Sequence, residues 1–156
     1  MRKKTKIILA IVIGSVLFLS IIGYFIGKGI NDLIESTKIE HIEAEFDLEF
    51  PDNINLRSFS IQSVNGKTYD YRYYWLEDNS DMDAFFDDAT PPSLSSFQTI
   101  MNEIISIMDI ENQLRPNYTQ DFEYYSLTIT DGSKTKTILV YANYTQSYLI
   151  IAVERI

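Results

Sequence analysis

The chain has 156 residues, 22 acids against 13 bases, one histidine and no cysteine. That length suits one domain, and without thiols there is no disulfide, no thiolate nucleophile and no zinc site of the cysteine type. After residue 27 nine bases face 22 acids, a formal charge of −13, which argues against a nucleic-acid surface or adhesion to anionic lipid.

The first element reads as a membrane span. Arg2, Lys3, Lys4 and Lys6 precede Ile7 to Gly27, a run without a charged residue. As a helix rising ~1.5 Å per residue the run reaches roughly 31 Å, about the thickness of a bilayer's hydrocarbon core. A cleaved signal peptide has a shorter apolar run and a small-x-small exit, whereas Gly27-Lys28-Gly29 puts a lysine in that exit. Residues 7–27 are therefore expected to form an uncleaved transmembrane helix, with residues 1–6 as a cytoplasmic basic tail. By the positive-inside rule the rest is extracytoplasmic: a stalk over 28–40 and an acidic domain over 41–156. Ala10 with Gly14, and Gly23 with Gly27, have the spacing that lets two membrane helices approach, an opening for a homo-oligomer.

Within the domain, Ile42, Ala44, Phe46, Leu48 and Phe50 alternate with Glu43, Glu45, Asp47 and Glu49. Period two predicts a half-buried strand with one acidic face. Pro51-Asp52-Asn53 marks a turn, and Asn65-Gly66 between β-rich runs predicts a type I′ hairpin. On the second arm Tyr69, Tyr71, Tyr73 and Trp75 share a face that reads as core, with a stacking platform as the competing reading. Tyr74 and Tyr125 are expected at the surface.

Between Trp75 and Pro92 lie six acids: Glu77, Asp78, Asp81, Asp83, Asp87 and Asp88. As a calcium loop the stretch fails, because Met82 stands where an EF-hand needs glycine. Met82, Phe85, Phe86 and Ala89 instead fall on one helical face, predicting a short amphipathic helix capped by Ser80, pinned by its phenylalanines and acidic outward. Pro92-Ser93 then opens a longer helix to about Leu114, with Leu94, Phe97, Met101, Ile104 and Met108 at three- and four-residue intervals. Strands follow on either side of Asp131-Gly132. The final run, Tyr148 to Ile156, is apolar on both faces from Leu149 to Val153 and belongs at the centre of a sheet. The expected fold is α+β: an antiparallel sheet of about six strands in βββ-α-βββ order, with one long helix on one face.

Fragments that imitate catalytic motifs fail on context. Asn65-Gly66-Lys67-Thr68 ends like a phosphate loop, but Ile61 replaces the required glycine and a strand follows. Ser133-Lys134-Thr135-Lys136 sits at a hairpin rather than at a helix start. His41, the only histidine, reads as solvated. No catalytic residue, metal site or cofactor is assigned. What remains is two tracts free of bases, Glu43, Glu45, Asp47 and Glu49, then Glu77, Asp78, Asp81, Asp83, Asp87 and Asp88, as partner-binding candidates. The expected function is a non-enzymatic, membrane-anchored module that binds a cationic protein outside the cell membrane. Its specific form is an immunity or inhibitor protein acting on a secreted toxin or cationic wall hydrolase. The alternatives are an accessory subunit of a cell-envelope or secretion complex, and a hydrolase using two carboxylates in one cleft.

Overall fold

The structure, a computed structural model, describes residues 38–78, 82, 85–86 and 92–156. The predicted span over 7–27 lies outside them, and no helix among the described residues is long and apolar enough to cross a membrane. Residues Ile42–Ile156 form one compact unit.

Two tight turns build the sheet. Asn65 and Gly66 both have positive φ, 53° and 80°, as a type I′ turn requires. They join β1 (Ile54–Val64) to β2 (Lys67–Leu76). The second hairpin turns one residue later than expected. Asp131 still pairs with Lys134, and Gly132 and Ser133 are the central residues. Only Gly132 has positive φ, 60°, the pattern of a type II′ turn. It joins β3 (Phe122–Asp131) to β4 (Lys134–Asn143), and β5 (Tyr148–Arg155) follows. The order across the sheet is β1-β2-β5-β4-β3, antiparallel throughout, so the apolar last strand is central as expected.

The predicted strand over Ile42–Phe50 is a helix. α1 spans Ile39–Phe46 and buries Ile42 and Phe46. Those two residues are four apart and satisfy the helical period as well as period two. Glu and Ala between them favour helix over strand, and the helix also removes a single-sign row of acids from one strand face. Among the described residues the sheet therefore has five strands rather than six, and the order is α-ββ-α-βββ. The fold is α+β.

α2 spans Leu94–Ile107 and starts where expected, with the Ser93 hydroxyl accepting from the Ser96 N–H. It stops seven residues short of Leu114. Asp109 adopts φ 49° and Ile110 N–H returns to the Ile105 carbonyl, a Schellman ending. α1 ends the same way, with Asp47 at φ 55° and Leu48 N–H on the Glu43 carbonyl.

Both sheet faces are covered, not one. Under α2 lie Tyr69, Tyr71, Tyr73, Leu139, Tyr141, Tyr148, Ile150 and Ala152, packed on Phe97, Met101, Ile104, Ile105 and Met108. On the opposite face Ile138, Val140, Ala142, Leu149, Ile151 and Val153 are fully buried, as are Ile42, Phe46 and Met82. α1 is held on that face by Glu45, which accepts from Arg155 Nε (3.0 Å) and Nη2 (2.6 Å) and sits 3.1 Å from Lys136 Nζ. This second layer explains why Tyr74, predicted at the surface, is buried. Trp75, predicted in the core row, lies on the α2 side but is exposed, next to the end of β2 and paired with Asn55 and Tyr148 near the ends of β1 and β5.

Candidate protein-binding face

Three of the four residues in the predicted aromatic row of the second arm are core. Tyr69, Tyr71 and Tyr73 lie beneath α2 and offer no open stacking platform. The Tyr71 hydroxyl and those of Tyr141 and Tyr148 fasten the connector after α2 to the sheet. Tyr71 donates to the Leu114 carbonyl (2.5 Å), Tyr141 donates to the Asn117 carbonyl (2.6 Å), and Asn117 N–H donates to the Tyr148 hydroxyl (3.2 Å). Burial pushes the Tyr71, Tyr118 and Tyr141 phenols above their ordinary range.

The other face of β2 carries a buried polar row between apolar neighbours. Arg72 donates to Asp70 through Nε (2.9 Å) and Nη2 (2.8 Å), and both side chains are 2% exposed. On one side lie Val153 and Ile151 of β5, on the other Ile61 and Phe59 of β1. At 3.9 Å Arg155 Nη1 approaches Asp70, so the pair adjoins the clamp on α1. For Glu45, burial works to raise the carboxyl, but hydrogen bonds from Arg155 and Lys136 and their positive charges outweigh it and hold it below the usual carboxylate range.

The acids of the first tract divide into inward and outward groups. Glu45 is the clamp. Glu43 accepts the Phe50 N–H through Oε1 (2.7 Å), closing the turn after α1. Asp47 and Glu49 are exposed, as is Asp52. In the second tract Glu77 accepts from Asn55 Nδ2 (2.6 Å), and Asp78 is exposed. Asp81, Asp83, Asp87 and Asp88 lie outside the described residues, as do Ser80 and Ala89. Met82, Phe85 and Phe86 are helical, and Met82 is fully buried. Phe85 stacks on Phe50 with centroids 4.9 Å apart and meets Tyr125 edge-on at 5.7 Å.

These contacts bring the tracts together. Glu77 N–H donates to the Asn53 carbonyl (3.3 Å), one residue beyond Asp52, while Phe50 and Phe85 join the segments a few residues away. Glu43, Glu49 and Asp52 share a shallow cleft of about 540 Å³ with Phe50, Pro51 and Asn53. Since Glu43 is committed to the Phe50 N–H, this cleft offers Glu49 and Asp52 to solvent as acceptors. A general acid and base need carboxyls held in contrasting environments, and here both free carboxylates are exposed. His41 is exposed. Among the described residues no group of three or more His, Cys, Asp or Glu side chains converges as a metal centre would.

Beside the acidic patch lies a feature that spacing did not single out. Leu56, Phe59 and Ile61 on β1 pair with Tyr74, Arg72 and Asp70 and so project to the α1 side of the sheet. They are 37, 40 and 43% exposed. The signal is present in the sequence as apolar residues in a strand otherwise made of Ser, Asn, Gln and one Arg. A bulge between Leu56 and Ser58 shifts the register and hides the alternation. No known family model matches the chain, and neither a curated protein nor a solved structure does.

Proposed function

We propose that the chain is a non-enzymatic, membrane-anchored, extracytoplasmic module that binds a cationic protein on the face where its two acidic tracts meet. The observation that carries this reading is the junction of Asn53 with Glu77 and of Phe50 with Phe85, which joins the segment of Glu49 and Asp52 to the start of the second tract. Carboxylates grouped on a rigid face draw in a basic partner and set its approach, more than they add affinity once it is bound. In its most specific form the partner is a secreted toxin or a cationic wall hydrolase, and the module neutralises it at the membrane surface through residues 7–27 as anchor.

The test uses the full chain in detergent micelles. A partner trapped by cross-linking in cell envelopes is purified, and its association is measured across a salt series. The combined Glu49→Gln, Asp52→Asn and Glu77→Gln variant should slow association by about tenfold and flatten its salt dependence. Binding indifferent to salt and to these substitutions refutes the proposal.

A further inference from the structure

We infer that the outer edge of β1 is a strand-addition site, which takes an extended segment of the cationic partner as a sixth strand of the sheet. The inference rests on the protein-binding reading above and adds how the partner engages.

Among the described residues β1 pairs with β2 alone and ends the sheet. An end strand exposes a row of unpaired N–H and C=O groups, which proteins ordinarily protect with charges, proline or a covering segment. Among the described residues β1 lacks those protections over most of its length. Across Ile54–Val64 it has no proline and one charge, Arg57, which stands at the bulge with its guanidinium 5.9 Å from the Trp75 ring. The opposite end strand, β3, carries Glu123 and Asp131, and its Tyr125 is met by Phe85.

The exposed apolar residues point to the same edge. Five large apolar side chains are exposed among the described residues, and four are Leu56, Phe59, Ile61 and Trp75. The first three form a stripe on one face of β1, backed by the buried Asp70, Arg72 and Tyr74 of β2. An added strand would gain main-chain hydrogen bonds from the edge and side-chain contacts from the stripe.

Charge selects the occupant. The compact unit Ile42–Ile156 holds 19 acids against seven bases, so a second copy would meet its own charge. β1 begins two residues after Asp52, and its Asn55 holds Glu77. A segment lying along β1 would therefore carry apolar residues over Leu56, Phe59 and Ile61 and basic residues at the end beside Asp52 and Glu77.

The probe is a displayed library of short peptides, apolar at alternate positions with Lys or Arg at either end, selected on the full chain in micelles. Affinity of the best synthetic peptide is read by fluorescence anisotropy and backbone protection by amide exchange. The expected result is added protection along β1, and a loss of about tenfold or more with Phe59→Lys or Ile61→Lys, since an edge charge opposes strand pairing. Methylating alternate peptide nitrogens, which leaves the protein untouched, should abolish binding on one edge register only. Three results overturn the inference. The library yields no binder. The selected peptides bind equally well to both lysine variants. Sedimentation shows a dimer that Ile61→Lys dissolves, which gives the edge to a second copy. If lysine variants leave binding intact while Asp52→Asn and Glu77→Gln remove it, strand addition fails and the acidic-face reading stands.

Discussion

Replacing Asp70 by asparagine should be the most damaging single polar change in the domain. Asp70 and Arg72 are both 2% exposed and joined by two parallel hydrogen bonds of 2.9 and 2.8 Å. Asparagine keeps the shape but removes the charge that faces the buried Arg72 guanidinium across two hydrogen bonds. Arg155 offers no substitute, since it is itself a cation. Breaking a buried pair from one side costs about 3–5 kcal/mol. Against a total of about 5–15 kcal/mol for a domain, that is a large share. The paired replacement Asp70→Val with Arg72→Met should behave differently. Its neighbours Phe59, Ile61, Ile151 and Val153 are apolar, and exchanging a whole buried pair for packed hydrocarbon is often neutral or stabilising. Denaturant unfolding of the full chain, followed by fluorescence of Trp75, the only tryptophan, reads both. A cost below about 1 kcal/mol for Asp70→Asn, as for an exposed ion pair, would refute the reasoning.

Glu45→Gln should loosen α1 from the sheet at a cost of about 1.5–3 kcal/mol, nearer the lower figure because the site is part-exposed, measured by the same unfolding assay. Because the Glu45 carboxyl is held below its ordinary value of 4.5, its contribution is full above that pH and is lost as pH falls through the lower folded value. The glutamine variant should therefore show a weaker loss of stability between neutral and acid pH. At alkaline pH the sign reverses: burial raises the Tyr71, Tyr118 and Tyr141 phenols, so their contribution is full below an ordinary value of 10.0 and is lost as pH rises toward the folded values. Tyrosinate absorbance should then appear together with unfolding rather than before it. Asp109→Gly should raise stability by up to about 1 kcal/mol, since glycine takes the left-handed conformation at the end of α2 without the cost a Cβ brings. An unchanged or lowered unfolding midpoint would contradict that.

The sequence was most legible where structure is local. Asn65-Gly66 and the Ser93 cap depend on neighbouring residues alone, and both stand where expected. The α1 stretch reads as a strand because Ile42 and Phe46 fit two periods at once, and only the propensities of Glu and Ala separate them. A clue to the second layer was available in Leu149 to Val153, since a strand apolar on both faces needs cover on both. That cover is what buries Tyr74. The candidate site was less legible. That Glu45 faces inward depends on Arg155 and Lys136, far away in sequence, and the meeting of the two tracts rests on Asn53 with Glu77 and Phe50 with Phe85. No spacing rule reports such contacts. The apolar edge of β1 is hidden in the sequence because the bulge after Leu56 breaks the alternation that marks a strand face.

The central claim is that a partner docks where the two acidic tracts meet. A photo-cross-linking residue placed at Asp52 in the full chain, in its native membranes, tests it most directly against the same residue at Glu103, an exposed acid of α2 on the opposite side of the sheet. The account predicts one dominant cross-linked product from position 52, reduced by high salt, and none from position 103. A product from 103 with nothing from 52, or equal products from both, would contradict it.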